Sequence, residues 1–147
     1  CKLPAREGFA ERRAAVVRSP DELTSVMMNR FPHAHAHLMV APRRHTSDLL
    51  ALDAEAAAAV HRGLRAAVAA LTAEYAPHGF NIGLNVGRAA GAGIADHLHW
   101  HVVPRWEGDT NFMPMLADAR VMPQHIEETY DRLLRRFERL AGSTDTQ

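Results

Sequence analysis

The stretch His97-Leu98-His99-Trp100-His101-Val102-Val103-Pro104 decides how this chain is read. Its three histidines occupy every second position among apolar neighbours. In an extended strand alternate side chains share a face, so the imidazoles form one row, about 6 to 7 Å between next-but-one residues. On a helix, where each residue turns by about 100°, the same rings would splay over about 200°. The strand reading makes a single site, with Trp100 facing away from it into core or interface packing. Three uses of such a row stay open from spacing alone: a metal site, since imidazole is a common zinc ligand; nucleophilic or acid/base catalysis; or a structural face. Asp96 is the nearest carboxylate, but on a regular strand it points to the opposite face, which weakens the metal reading. Phosphorus chemistry suits an imidazole, which is nucleophilic at neutral pH, can leave again, and can be oriented by a neighbouring ring.

Working outward, Thr24 to Met28 and His37 to Pro42 read as two short strands joined through Asn29-Arg30-Phe31-Pro32, a plausible hairpin. Ser47, Asp48 and Asp53 offer helix starts. Apolar residues at 52, 56, 60, 64, 68, 71 and 75 mark one stripe of a long, Ala-rich amphipathic helix that Pro77 and Gly79 end. Phe80, Ile82, Leu84 and Val86 then alternate with Asn81, Gly83, Asn85 and Gly87, a half-buried strand whose second face is small and polar and leaves room for a ligand. Arg88 to Gly93, with two Gly and three Ala, is a flexible or close-approach loop leading into the histidines. Pro123 opens a C-terminal helix carrying Ile126, Tyr130, Leu133, Phe137 and Leu140, with i,i+4 pairs Glu128–Arg132 and Asp131–Arg135 on its solvated face. The class is α+β with a largely antiparallel sheet. The division expected is an N-terminal arm over 1–20, one domain over 21–141 and a tail over 142–147.

Composition narrows the partners. The 147 residues contain ten His, and 17 Lys+Arg balance 17 Asp+Glu. No polycationic surface is available to drive nucleic-acid binding. No apolar run approaches the roughly 18 to 20 residues of a membrane span, and no signal segment opens the chain, so no membrane partner and a cytoplasmic location are expected. The single Cys, Cys1, cannot form an internal disulfide, in keeping with a reducing compartment. The sequence opens on it rather than on Met, so a native N-terminus upstream is expected.

With Leu98, Trp100, Val102 and Val103 filling the apolar places between and after the three histidines, the segment resembles the signature of the histidine triad (HIT) family of nucleotide hydrolases and transferases. The resemblance continues through Asn29-Arg30-Phe31-Pro32, His37-Leu38-Met39-Val40 with Pro42 and His45, the long helix, Asn85-Val86-Gly87 and the C-terminal helix, roughly residues 21 to 141. Pro104-Arg105-Trp106-Glu107-Gly108-Asp109-Thr110-Asn111-Phe112 is similar, more narrowly, to the bacterial diadenosine tetraphosphate phosphorylase-like branch. The family implies a mainly antiparallel five-stranded sheet with one long helix and a C-terminal helix, and a homodimer. It implies His99 as the nucleophile attacking the α-phosphorus, His101 on the same phosphate, His97 orienting the triad and His37 completing the cluster. Asn29 would sit by the ribose and base, and Asn85 by the phosphates. Water attack on the adduct would give a monophosphate, phosphate attack a diphosphate.

Two places depart from the family pattern. The Gln and Ser/Thr that bind phosphate four and three residues before the first His are Gly93 and Ile94, so backbone N–H groups from Gly91 to Gly93 would substitute. The family's Gly before the strand-two His is Ala36, read as a mild change. No cofactor is required; magnesium can accompany the polyphosphate, and a structural zinc would use Cys1 and His45. Trp106 and Asn111 are assigned to the substrate edge, Trp106 equally to dimer packing, while His33 and His35 read as exposed loop histidines. The rivals are a metal-dependent hydrolase using the histidine row as ligands and a non-catalytic nucleotide-binding regulator.

Overall fold

The structure is a computed structural model, and it describes residues 16–18, 21–29, 34–109 and 126–142. Its elements are β1 (Val16–Arg18), β2 (Thr24–Met28), β3 (Leu38–Pro42), α1 (Ala54–Tyr75), β4 (Gly79–Leu84), β5 (Trp100–Arg105) and α2 (Ile126–Gly142), with 3-10 turns at Leu49–Ala51 and Arg88–Ala90. The strands make one five-stranded sheet in the order β1-β2-β3-β5-β4, with every neighbouring pair antiparallel. The α+β architecture follows the expectation. No helix among the described residues is long and apolar enough to cross a membrane.

Register sorts the side chains into two faces. Val26, Val40, Trp100 and Leu84 are aligned across four strands, and so are Met27, Met39, His101 and Gly83 in the next row. Because successive residues point oppositely, these rows lie on opposite faces. The first face packs against α1 and, with Leu38 and Val102, forms the core together with Ala67, Ala70 and Leu71 of α1 and Leu133 and Phe137 of α2. Contact there is tight at Gly63, where a Cβ would come within 2.8 Å of Val40 Cγ1 and 3.0 Å of Thr24 Cγ2.

Local chemistry fixes the helix ends. Asp53 caps α1, its carboxylate accepting from Ala56 N–H at 2.8 Å, whereas Asp48 caps only the 3-10 turn. Ala76, in the left-handed region, closes the C-terminus before Pro77. Arg132 does not stay with Glu128 on its own helix; its Nε donates to Glu74 at 2.8 Å, and Arg136 Nη2 lies 3.1 Å from the same carboxylate. Burial alone would push Glu74 up, but the two guanidiniums hold its carboxyl below the ordinary range. This triad of charges docks α2 on the last turn of α1.

Three boundaries move. The sheet starts before residue 21, since β1 pairs with β2 and Val17 enters the core. β4 ends at Leu84 rather than Val86, and it is an edge strand that leaves Ile82 48% exposed, so its apolar face is not sealed. The histidine strand begins at Trp100 rather than His97, because Leu98 N–H turns to Thr46 O at 2.8 Å instead of a ladder partner. Pro123 and the tail beyond 142 lie outside the described residues.

Replacing Gly63 with Ala tests the tight contact. Overpacking costs about 1–3 kcal/mol, and the gain in helix propensity returns about 1 kcal/mol. Gly63→Ala is expected to lower the urea midpoint by the equivalent of about 1 kcal/mol with an unchanged slope; an equal or higher midpoint would mean that helix and sheet do not meet so closely.

Candidate active site

His101 and His37 lie on the sheet face opposite α1. His101 is on β5, opposite Met39 on one side and Gly83 on the other. Gly83 has no side chain, and nothing lies within 4 Å of where a Cβ would stand, so space opens beside the His101 ring. His97 and His99 precede the strand, both buried, and backbone carbonyls set their rings. His97 Nε2–H donates to Pro42 O at 2.8 Å, and His99 Nδ1–H donates to His97 O at 2.9 Å.

A carbonyl oxygen only accepts, so both assignments are forced. Neutral His99 therefore carries its proton on Nδ1 and its lone pair on Nε2. The His99 and His101 rings meet edge to face with centroids 5.0 Å apart. His37, 1% exposed, places Nε2 2.9 Å from His101 Nδ1, and Asn29 Nδ2 lies 3.3 Å from His37 Nδ1. Of the expected cluster, the rings of His37, His101 and His99 are contiguous, with Asn29 at one end, whereas His97 joins them through its backbone carbonyl and turns its own ring to Pro42 O and His45.

Asn85, just past β4, turns its amide toward Gly91 O at 3.5 Å. Gly87 and Gly91 both take positive φ, 81° and 84°, which lets the 85–96 connection fold back on itself. An open cavity of about 440 Å³ is lined by Arg88, Ala92, Gly93, Ile94, Ala95 and Asp96. Arg88 is exposed. Among the described residues it engages no carboxylate. Sequence reasoning had not singled it out, although a cation beside the missing Gln and Ser/Thr was the available signal.

Other expected residues fall elsewhere. Trp106 sits 6.1 Å, ring to ring, from His35, in a turn braced by Arg105 Nε donating to Asp109 at 2.7 Å. His35 is half-buried rather than exposed: its ring meets Tyr75 edge-on at 4.9 Å, and its buried Nδ1 has no hydrogen-bond partner among the described residues. Ala36 has φ 55°, a left-handed conformation that costs a non-glycine residue about 1 kcal/mol, so it is not a mild exchange for Gly. Cys1, His33 and Asn111 lie outside the described residues. His45 is exposed, its ring 4.9 Å from that of His97. No three His, Cys, Asp or Glu converge as a metal site among the described residues, so these donors do not by themselves close a zinc site.

Burial holds His97 below the ordinary imidazole range, with His45 and His99 pushing the same way against the Pro42 hydrogen bond. His35 is lowered by burial and then by Arg132. Both rings bind protons less readily folded than unfolded, so their contribution to stability is complete above the unfolded value of about 6.5 and is lost as pH falls through the folded values. The melting temperature is expected to drop between pH 7 and pH 5, and to drop less in His35→Phe; equal slopes for the two proteins would remove His35 from the account.

The family model described as HIT domain matches residues 11–108. A protein of Mycobacterium tuberculosis (strain H37Rv) described as AP-4-A phosphorylase is 40% identical over 108 residues, covering 74% of this chain and 55% of that protein. The chain thus spans about half the length of that relative. Among solved structures, a zinc-bound histidine triad family protein from Mycobacterium smegmatis aligns with a TM-score of 0.69 at 26% identity, covering 88% of this chain and 89% of that one. A hypothetical histidine triad nucleotide-binding protein from Sulfolobus tokodaii aligns with a TM-score of 0.68 at 24% identity, over 84% and 83% of the two chains, and speaks to the fold.

Proposed function

The chain belongs to the HIT family, and on that premise we propose that it is an enzyme transferring a nucleotidyl group from a dinucleoside polyphosphate of the diadenosine tetraphosphate kind, or from a nucleotide conjugate, through an adduct on His99. The observation that carries this reading is the 2.9 Å hydrogen bond from His99 Nδ1–H to His97 O, which leaves Nε2 as a lone pair on a buried ring. A nucleophile held in one tautomer before substrate arrives needs no reorganisation at the moment of attack.

In the first step Nε2 forms a bond to the α-phosphorus, and the bond from that phosphorus to the bridging oxygen breaks, its electron pair leaving with the rest of the polyphosphate. In the second step water or inorganic phosphate attacks the same phosphorus and returns the lone pair to Nε2. Release as a monophosphate or a diphosphate depends only on that acceptor. His101 faces the phosphate oxygens, and Asn85, the backbone N–H groups around Gly91 to Gly93 and Arg88 offer donors where the Gln and Ser/Thr are missing. Magnesium would enter with the polyphosphate as its counter-ion, and zinc on Cys1 and His45 would be structural. The exposed edge of β4, with Ile82 and Val86, supports a homodimer joined sheet to sheet. A cytoplasmic location suits such a substrate.

Supporting this reading, the relative of Mycobacterium tuberculosis carries the name AP-4-A phosphorylase. Incubation with diadenosine tetraphosphate, with and without inorganic phosphate and followed by chromatography, tests it. Adenosine diphosphate formed only with phosphate marks a phosphorylase, and adenosine monophosphate formed without phosphate a hydrolase. His99→Ala is expected to lose turnover by about 10⁴-fold or more, together with the adenylylated-protein peak in mass spectra. Absence of turnover with any adenylylated substrate would end the proposal, and loss of activity on chelation without unfolding would favour the metal-dependent rival.

A further inference from the structure

Asn29 and His37 are directly opposed across the β2–β3 ladder. Asn29 N–H donates to His37 O at 3.0 Å, continuing the register one step past Met28–Leu38, so both side chains leave on the face that carries His101. An amide nitrogen donates and does not accept. With Nδ2 3.3 Å away, His37 Nδ1 is the acceptor, and the neutral His37 ring keeps its proton on Nε2. That nitrogen lies 2.9 Å from His101 Nδ1, which must then accept, leaving the proton of neutral His101 on Nε2.

We infer that Asn29 is a positioning residue: acting through His37, it fixes the tautomer of His101 so that this ring offers an Nε2–H donor beside the lone pair of His99. Adjacent rings, 5.0 Å apart, then hold complementary tautomers. One presents an electron pair to phosphorus, and the other presents a hydrogen-bond donor to the oxygens on which negative charge accumulates. No proton is transferred by His101 in this role. The opposite amide orientation would run the chain backwards and turn His101 Nε2 into an acceptor, which repels phosphate oxygen. The inference rests on the nucleotidyl-transfer reading of the site for its purpose, but not for its test.

The test is made on the ligand-free protein at about pH 8, where neutral imidazoles predominate. Long-range nitrogen–proton correlation spectra report which ring nitrogen of each histidine is protonated. In the native protein, His101 and His37 are expected to be protonated on Nε2 and His99 on Nδ1. Asn29→Ala is expected to leave His101 a mixture of tautomers with His99 unchanged. Asn29→Asp, nearly isosteric and able only to accept, is expected to move the His37 proton to Nδ1. In both variants kcat should fall about tenfold with KM changed less than threefold. His101 protonated on Nδ1 in the native protein would overturn the inference. So would an unchanged His101 tautomer in both variants with a raised KM, which would make Asn29 a ribose contact. The spectra decide the matter even if no adenylylated substrate is turned over, a result that would count against the proposed function alone.

Discussion

The close approach of α1 to the sheet at Gly63 governs where everything else can go. With Val40 Cγ1 only 2.8 Å from a notional Cβ at that position, α1 covers one sheet face and leaves the other without a helix on it. Strand parity does the rest, because Val40, Trp100 and Val102 must face the helix and Met39 and His101 must then face away. A slip of one residue in β5 would drive the His101 imidazole into an apolar core and turn Val102 out of it, a change that desolvation of a polar ring opposes. The packing that stabilises the fold therefore also selects the face on which the chemistry sits.

Around that face, orientation is carried by backbone as much as by side chains. Pro42 ends β3 with a carbonyl open to His97, and His97, lying before the regular part of β5, offers its own carbonyl to His99. A ladder continued through these residues would have used those oxygens for strand pairing. The early end of the ladder is thus a condition of the site. The chain carries no net charge with His neutral, and under the proposed function a polyphosphate would meet oriented dipoles, imidazole rings and the exposed Arg88 rather than a basic surface.

Residue type and spacing reveal some of this and conceal the rest. Period two at residues 97 to 103 was enough to bring His99 and His101 ring to ring, though not to place the His97 ring, which turns to His45 before the strand begins, and the apolar spacing from 52 to 75 was enough for α1. Gly63 was silent, because a glycine inside a helical stripe has no pattern of its own until the sheet behind it is known. The carbonyls of Pro42 and His97 were silent for a deeper reason: every residue has one, so sequence cannot mark which becomes an acceptor. His35 looked like an exposed loop residue because it lies before the strand read from His37, whereas Ala36 at φ 55° accompanies a turn in which the His35 ring meets Tyr75. Arg132 had a partner four residues away on its own helix, but tertiary packing put Glu74 closer. Local pairing rules rank below a carboxylate whose side chain is only 8% exposed and that takes two guanidinium donors.

The choice of a carbonyl rather than a carboxylate behind His99 has a chemical consequence. An anionic partner at Nδ1 would favour the imidazolium form, and an incoming polyphosphate, itself anionic, would push in the same direction. A protonated ring has no lone pair to give. A neutral carbonyl fixes the ring and its tautomer without bringing a negative charge beside it, which would suit the proposed attack on a phosphorus surrounded by negative oxygens. In a proton-shuttling histidine the balance is reversed, because there the imidazolium is the state to stabilise. The hydrogen bond to His97 O thus bears on which of the two uses suits the side chain, and it is the arrangement that the proposed covalent attack by His99 would require.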